Sequence, residues 1–139
     1  MSGCKRMARL AVWSIAVVLL SSCGARGDAE LSEQAVATFH ERLSKADFSA
    51  IYADSTDEFR LASQRQNNDY LVAIGKSVGT VASARKISLK TEPDSKGALV
   101  ILEYQTTYSN GSGTEAFQFR VAGGKARLHQ YSINFTPKR

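Results

Sequence analysis

The chain has 139 residues, a length typical of one compact domain, with 18 basic residues against 13 acidic ones. Three of the basic residues, Lys5, Arg6 and Arg9, lie at the N-terminus, so the rest of the chain has 15 basic against 13 acidic residues and a net charge of +2. This near-neutral balance gives no reason to expect nucleic acid as a partner.

The N-terminal segment has the pattern of an export signal. The basic residues precede an apolar run over residues 10–20, which is too short to span a bilayer as a helix. The run ends in the sequence LSSCG at residues 20–24, and small residues directly before a cysteine resemble a bacterial lipobox. We therefore expect residues 1–22 to be a lipoprotein signal peptide. The alternative is an ordinary signal peptide that is cut near Ser22 and leaves Cys23 by chance.

The lipobox resemblance implies a lipid anchor at Cys23. Its thiol would take up a diacylglyceryl group, and acyl chains such as palmitate would hold the processed protein to a membrane of the cell envelope. Gly24 stands where an Asp would resemble an inner-membrane retention signal, so in a host with two membranes we expect the periplasmic face of the outer membrane. Residues 23–30 would then be a lipidated tether and residues 31–139 a single domain. Because Cys4 leaves with the signal, the mature domain has no free thiol, which excludes disulfides, zinc–thiolate sites and cysteine nucleophiles.

Helical patterns fill the first half of the mature chain. Ser32 is a candidate N-cap of a helix that extends to about Ala46. The apolar face of this helix is formed by Ala35, Val36, Phe39 and Leu43. Residues 48–62 predict shorter, irregular helix.

A further helix is predicted over residues 69–78. Asn68 can cap its start, and Gly79 can end it. Gly75 lies inside this helix at a cost of about 1 kcal/mol against alanine, which indicates a close approach of helix and sheet at that point.

Alternating apolar and polar residues in the second half predict four antiparallel strands. We expect strands over residues 84–91, 98–109 and 114–122, and a fourth after the two-residue turn at Gly123 and Gly124. The fold class is therefore α+β, with N-terminal helices packed on a four-stranded antiparallel sheet.

The strand registers can be derived from the loops. Thr91 opposite Ala98 aligns the apolar faces of the first two strands and places Arg85 opposite Tyr104 on the apolar face. Ser109 opposite Thr114 does the same for the next pair and sets Tyr104 opposite Phe119. In this arrangement we expect no acid on the apolar face, with Lys90, Glu103 and Glu115 on the other side.

The last hairpin needs one irregularity. Its turn places Phe119 opposite Leu128, and regular pairing beyond that point would turn Tyr131 and Ile133 away from the core. A β-bulge near His129 and Gln130 returns them to the apolar face.

Helices followed by a bent antiparallel sheet with a bulge resemble the cystatin-like α+β cone of the nuclear-transport-factor-2-like superfamily. The resemblance spans roughly residues 30–135, and its carriers are ADFSAIY at 46–52, SVGTVASAR at 77–85 and LHQYSI at 128–133. Similar pieces occur in small secreted bacterial families of unknown function. The resemblance implies a pocket at the open end of the cone, which different members use for isomerisation, dehydration, ligand binding or protein contacts, so the fold alone decides no function.

Five residues are candidates for lining such a pocket: Arg85, Tyr104, Tyr108, His129 and Tyr131. For each, a structural role is the alternative. The aliphatic part of the Arg85 side chain either packs on the core with the charge near solvent, or the guanidinium binds an anionic ligand. The tyrosines either line the rim of a pocket or belong to the core. His129 is either aimed at a site by the bulge or an exposed strand residue, and His40 either flanks the core or acts as a base. No catalytic set, metal-ligand spacing or cofactor motif is readable.

Two functional hypotheses follow. The favoured one is a lipid-anchored, non-enzymatic module of the cell envelope that binds an envelope protein or a small ligand. The alternative is a small pocket enzyme of the isomerase or dehydratase kind that uses Arg85, Tyr104 and His129. A pocket plugged by Phe117, Phe119 and Tyr131 favours the first, whereas an open cavity with two convergent titratable groups favours the second.

Overall fold

The structure is a computed structural model that describes residues 23–66 and 69–139. Helices come first and strands follow, in the order α1 (Cys23–Ser44), α2 (Phe48–Ala53), α3 (Asp57–Gln64), α4 (Asp69–Val78), β1 (Val81–Asp94), β2 (Gly97–Tyr108), β3 (Gly111–Ala122) and β4 (Lys125–Pro137). The strands form one open antiparallel sheet in the order β1-β2-β3-β4, and the helices pack on it. This is the predicted α+β architecture. The predicted signal peptide and the Asn68 cap lie outside the described residues.

The first helix is longer than its sequence pattern predicts. It begins at Cys23, so residues 23–30, expected to be a tether, are helical. Ser32 lies inside the helix, where its buried hydroxyl donates to the Asp28 carbonyl oxygen at 2.8 Å. This local bond satisfies the hydroxyl without ending the helix, so Ser32 is not an N-cap. Within the two described stretches of chain, no helix has both the length and the apolar character needed to cross a membrane.

The predicted apolar face of α1 is confirmed, because Val36, Phe39 and Leu43 are buried. The predicted short helices are confirmed as α2 and α3, and each begins at a side-chain cap. Asp47 accepts a hydrogen bond from the backbone of Ala50, and Thr56 accepts one from the backbone of Phe59.

The last helix has its predicted bounds. It ends at Gly79, whose φ of +79° is a left-handed conformation that favours glycine. Gly75 marks a close approach to another helix, since a Cβ there would lie 2.8 Å from Cζ of Phe48 in α2. The predicted approach of this glycine to the sheet is therefore wrong.

The β1–β2 hairpin is tighter than predicted. Asp94 pairs with Gly97 across a two-residue turn, and Leu89 consequently lies opposite Leu102 instead of Val100. The strands thus extend into a stretch that its proline and glycine had marked as a loop.

A register shift at Ile87 changes the neighbours of Arg85. Beyond this shift Lys86 pairs with Tyr104, and Arg85 pairs with Gln105 and is exposed. The predicted position of Arg85 on the apolar face opposite Tyr104 is therefore wrong. The bulge adds one residue to β1, and this largely exposed strand has no buried residues beyond the bulge that would reveal the change of phase.

The β2–β3 turn is also tighter, and β3 begins at Gly111, three residues earlier than predicted. Tyr104 lies opposite Glu115 rather than Phe119. The apolar faces still coincide because a slip by an even number of residues keeps every side chain on its side of the sheet. Gly111 pairs with Pro137 of β4, and the two strands lie close together at this point. A Cβ on Gly111 would lie 2.8 Å from Cζ of Phe135.

The predicted bulge in β4 is confirmed. Phe119 pairs with Leu128 and Gln118 pairs with Gln130, which leaves His129 as the extra residue. The resulting phase change turns Tyr131 into the core, where it is 4% exposed.

Candidate functional site

A buried carboxylate lies at the centre of the molecule. Glu115 of β3 is fully buried, and both of its oxygens accept hydrogen bonds. Oε2 lies 2.6 Å from Nε2 of His40 and accepts from the Thr106 hydroxyl at 2.6 Å. Oε1 accepts from the Tyr131 hydroxyl at 2.7 Å and from the Tyr108 hydroxyl. We call these five residues the carboxylate cluster.

Four elements position the cluster. Thr106 and Tyr108 alternate along β2, so both face the same side as Glu115 on the neighbouring strand. His40 comes from α1, one residue after the core residue Phe39. Tyr131 reaches Glu115 only because the bulge at His129 reverses the phase of β4. The bulge is therefore a requirement of the cluster as well as of the apolar core.

The electrostatics of the cluster keep its carboxyl ionised. Burial alone raises the pKa of Glu115, but the hydrogen bond and charge of His40, together with the hydroxyl donors Thr106 and Tyr108, outweigh it and hold the pKa below its usual value of 4.5. Burial beside this carboxylate raises the pKa of the Tyr108 and Tyr131 phenols well above the usual range. The phenols stay protonated and donate, and the nitrogen of His40 that faces Glu115 must donate as well.

The position of Glu115 corrects the expectation that the apolar face carries no acid. The signal was present in the sequence, because Glu115 stands two residues before Phe117 and side chains two apart in a strand share a face. Burying an unpaired carboxylate is very costly. Four donors offset that cost, and one of them is His40, which is buried at 7% exposure rather than a boundary residue.

Aromatic rings fill the space between the cluster and the helices. Phe39 of α1 lies with its ring centroid 4.7 Å from that of Tyr131 and 5.2 Å from that of Phe117. Phe117 stacks on Phe119 at 5.8 Å. Phe117, Phe119 and Tyr131 thus plug the interior of the fold beside the cluster.

The candidate site residues separate into three groups. Tyr108 and Tyr131 belong to the cluster, and Tyr104 lies beside it, with its ring centroid 6.3 Å from that of His40. Burial raises the pKa of Tyr104, and the nearby Glu33 carboxylate adds to the effect. Arg85 is exposed on β1, outside this group. His129 lies on β4, at the opposite edge of the sheet.

His129 is half-buried beside the start of α3. Its Nδ1 lies 3.1 Å from Oγ1 of Thr56, the residue that caps α3. Because this hydroxyl oxygen already accepts from the Phe59 backbone, its proton is available to Nδ1 of a neutral imidazole. Burial, followed by the nearby Arg120 charge, lowers the pKa of His129 below 6.5, so the ring is neutral at pH 7.

A cleft of about 420 Å³ opens beside His129, between α3, the start of α4 and β4; we call it the β4 cleft. Its titratable groups are largely engaged elsewhere. Glu58 is paired with Lys96 at 2.8 Å, an interaction that lowers its pKa to about 2. Tyr70 donates to the Tyr131 carbonyl oxygen at 3.2 Å. The remaining lining residues are Phe59, Ala62, Ser63, Gln66, Gln130 and Tyr131.

No preformed metal site is present among the residues that the structure describes. In that part of the chain, no three or more histidine, cysteine, aspartate or glutamate side chains are grouped so that they could hold an ion. The predicted lipidation of Cys23 concerns a side chain outside that description.

The chain matches no family model, no curated protein and no solved structure.

Proposed function

We propose that the chain is a lipid-anchored binding or interaction module of the cell envelope. Cys23 would carry the anchor, and in a host with two membranes the domain would face the periplasm from the outer membrane. The anchor is supported by the export pattern of residues 1–22 and by the small residues before Cys23.

The filled interior is the observation that carries the non-enzymatic part of the proposal. Two titratable groups of the core, His40 and Glu115, contact one another and lie among the rings of Phe39, Phe117 and Tyr131. Among the described residues, no buried side-chain nitrogen or oxygen lacks a hydrogen-bond partner. A satisfied network stabilises and orders a core, whereas a reactive group needs access and spare hydrogen-bonding capacity.

The geometry also argues against the alternative enzyme in its predicted form. Arg85 and His129 lie on the two edge strands, with β2 and β3 between them. At the spacing of neighbouring strands, three steps separate them by roughly 14 Å. Tyr104 is buried at 8% exposure between them. These three residues therefore do not line a common pocket.

The anchor is tested by fractionation of cells that express the full chain. Wild-type protein should incorporate an alkyne analogue of palmitate and sediment with membranes, and Cys23→Ser should do neither. Cys4→Ser is the matched control, because it changes the chain's other cysteine, which leaves with the signal. Equal labelling of the wild-type protein and Cys23→Ser would refute the anchor.

The binding role is tested on the processed protein in lipid nanodiscs. Immobilised wild-type protein should retain a saturable component of the host's solubilised envelope, and heat-unfolded protein should not. Absence of any saturable component, together with turnover of a substrate by the same preparation, would overturn the binding role.

The β4 cleft supports an isomerase- or dehydratase-like enzyme as a second candidate. The supporting observation is the bulge, which presents a neutral imidazole to an open cleft of about 420 Å³. In that case His129→Gln should abolish turnover, and Gln130→Ala, which changes the next cleft residue, should leave most of it. A His129→Gln protein that retains the binding partner of the wild type is the result expected of the binding module.

A further inference from the structure

A second cleft of about 200 Å³ lies between α1, the end of α2 and the β3–β4 hairpin; we call it the α1 cleft. It shares no lining residue with the β4 cleft or the carboxylate cluster. Its floor is apolar and is formed by Leu31, Ala35, Ile51 and Leu128. Water gains few hydrogen bonds on such a floor, so an apolar group that replaces it is favoured.

Charged groups stand at the rim of the α1 cleft. Nη1 of Arg42 contacts Asp54 at 2.6 Å, and Nζ of Lys125 contacts the other oxygen of the same carboxylate at 3.3 Å. The hydrogen bond from Arg42 lowers the pKa of Asp54, which therefore stays ionised at neutral pH. Two cations against one anion leave the rim with one net positive charge.

The cations retain donors for a ligand. Within the described residues, Arg42 uses Nη1 for both of its hydrogen bonds, to Asp54 and to the Ala50 carbonyl oxygen, so its Nε and Nη2 are left. Lys125 is half exposed and has made one of its three donations. A guanidinium with two donors side by side matches the two oxygens of a carboxylate.

We propose that the α1 cleft binds a small monocarboxylate with a short apolar tail. The tail lies on the apolar floor, and the carboxylate pairs with Arg42 and Lys125 at the rim. A dianion such as a phosphate ester would bring a second negative charge beside Asp54, and an amine would meet a positive rim. This inference rests on the proposed binding role and assigns it a ligand class.

The experiment uses the processed protein in phosphatidylcholine nanodiscs with isotope-labelled methyl groups. Hexanoate should shift the methyl resonances of Leu31 and Ile51 saturably, which distinguishes the cleft from partition into lipid. Hexanamide and hexylamine, which keep the tail and lose the anion, should bind at least about tenfold more weakly, because a charge-assisted hydrogen bond contributes that much. Hexyl phosphate should also bind more weakly than hexanoate.

Variants separate the rim from the floor. Arg42→Gln should weaken hexanoate about tenfold and Lys125→Gln less, since Lys125 is more exposed. Lys45→Gln is the matched control, because Lys45 directly follows the same helix but pairs with Glu41, away from the cleft. Ala35→Leu fills the floor with the rim intact and should also reduce binding, so the inference is testable even if Arg42→Gln does not fold.

Three results would overturn the inference: no saturable shift with hexanoate, equal affinity for hexanoate and hexanamide, or equal weakening by Lys45→Gln and Arg42→Gln. Failure here is separable from failure of the binding role. Protein that captures an envelope component but ignores hexanoate has the binding role with a different ligand, whereas protein that does neither lacks both.

Discussion

The two histidines of the chain lie in contrasting surroundings. His40 is buried and contacts an ionised carboxylate that three hydroxyl groups also bind. His129 is half-buried at the mouth of a cleft, where its ring forms a hydrogen bond with the Thr56 hydroxyl. The first belongs to a buried network, whereas the second borders the β4 cleft. A shifted pKa and a central position, as at Glu115, are therefore compatible with a purely structural role.

The largest effect is expected when the acceptor of the buried network is removed. Glu115→Ala leaves His40, Tyr108 and Tyr131 without their acceptor, and it should lower the free energy of unfolding by about 3–5 kcal/mol. Urea denaturation followed by circular dichroism measures the loss. Glu103→Ala, on the exposed side of the neighbouring strand, should change stability by less than about 0.5 kcal/mol. Equal effects of the two variants would show that the cluster does not stabilise the fold.

A smaller effect is expected from removing one donor. Tyr131→Phe keeps the ring that packs on Phe39 and deletes the hydroxyl that donates to Glu115. We expect a loss of about 1.5–3 kcal/mol, because the bond is to a charged acceptor. Tyr70→Phe, which removes a half-exposed hydroxyl bonded to a backbone oxygen, should cost less in the same denaturation assay. The reverse order would contradict the assigned network.

The stabilisation by Glu115 should depend on pH in one direction. Its pKa in the folded protein lies below the ordinary 4.5, so its contribution is fully present above that value and is lost as pH falls through the lowered pKa. The difference in stability between wild type and Glu115→Gln, followed from about pH 7 to about pH 3, isolates this contribution from those of other carboxylates. A difference that grows as the solution is acidified would refute the assignment.

The smallest effect is expected at the cleft. His129→Gln should change the free energy of unfolding by less than about 1 kcal/mol at pH 7, because the side chain is partly solvated. Since the pKa of His129 is lowered in the folded protein, its favourable contribution is present above pH 6.5 and lost as pH falls through the lowered pKa. The variant should therefore lose less stability than the wild type on acidification below that pH, with Gln130→Ala as the control. A loss as large as that of Glu115→Ala would erase the contrast between the two histidines.

Much of the fold could be predicted from the sequence, because alternation and turn residues are local signals. The bulge at His129 followed from the phase change between Leu128 and Tyr131, and the structure confirms it. The bulge at Ile87 gave no such signal, since β1 is exposed along most of its length and few buried residues fix its phase. Arg85 was misplaced for that reason.

The carboxylate cluster could be predicted only in part. Tyr108 and Tyr131 were among the predicted pocket residues, and both belong to the cluster. Glu115, the shared acceptor of Tyr108 and Tyr131, was missed because its burial is favourable only when four donors converge from three other elements. That convergence is a property of the tertiary structure, and no short stretch of sequence encodes it.

The exposed strand β1 has a consequence for the anchored form that we propose. Anchored chains share a plane and meet far more often than chains in solution, and an unpaired strand edge is a template for association between copies. β1 interrupts its edge with the irregularity at Ile87, with the charges of Lys86 and Lys90, and with Pro93, which has no backbone donor. In the proposed anchored layer, these residues would keep copies of the protein from joining into continuous sheets.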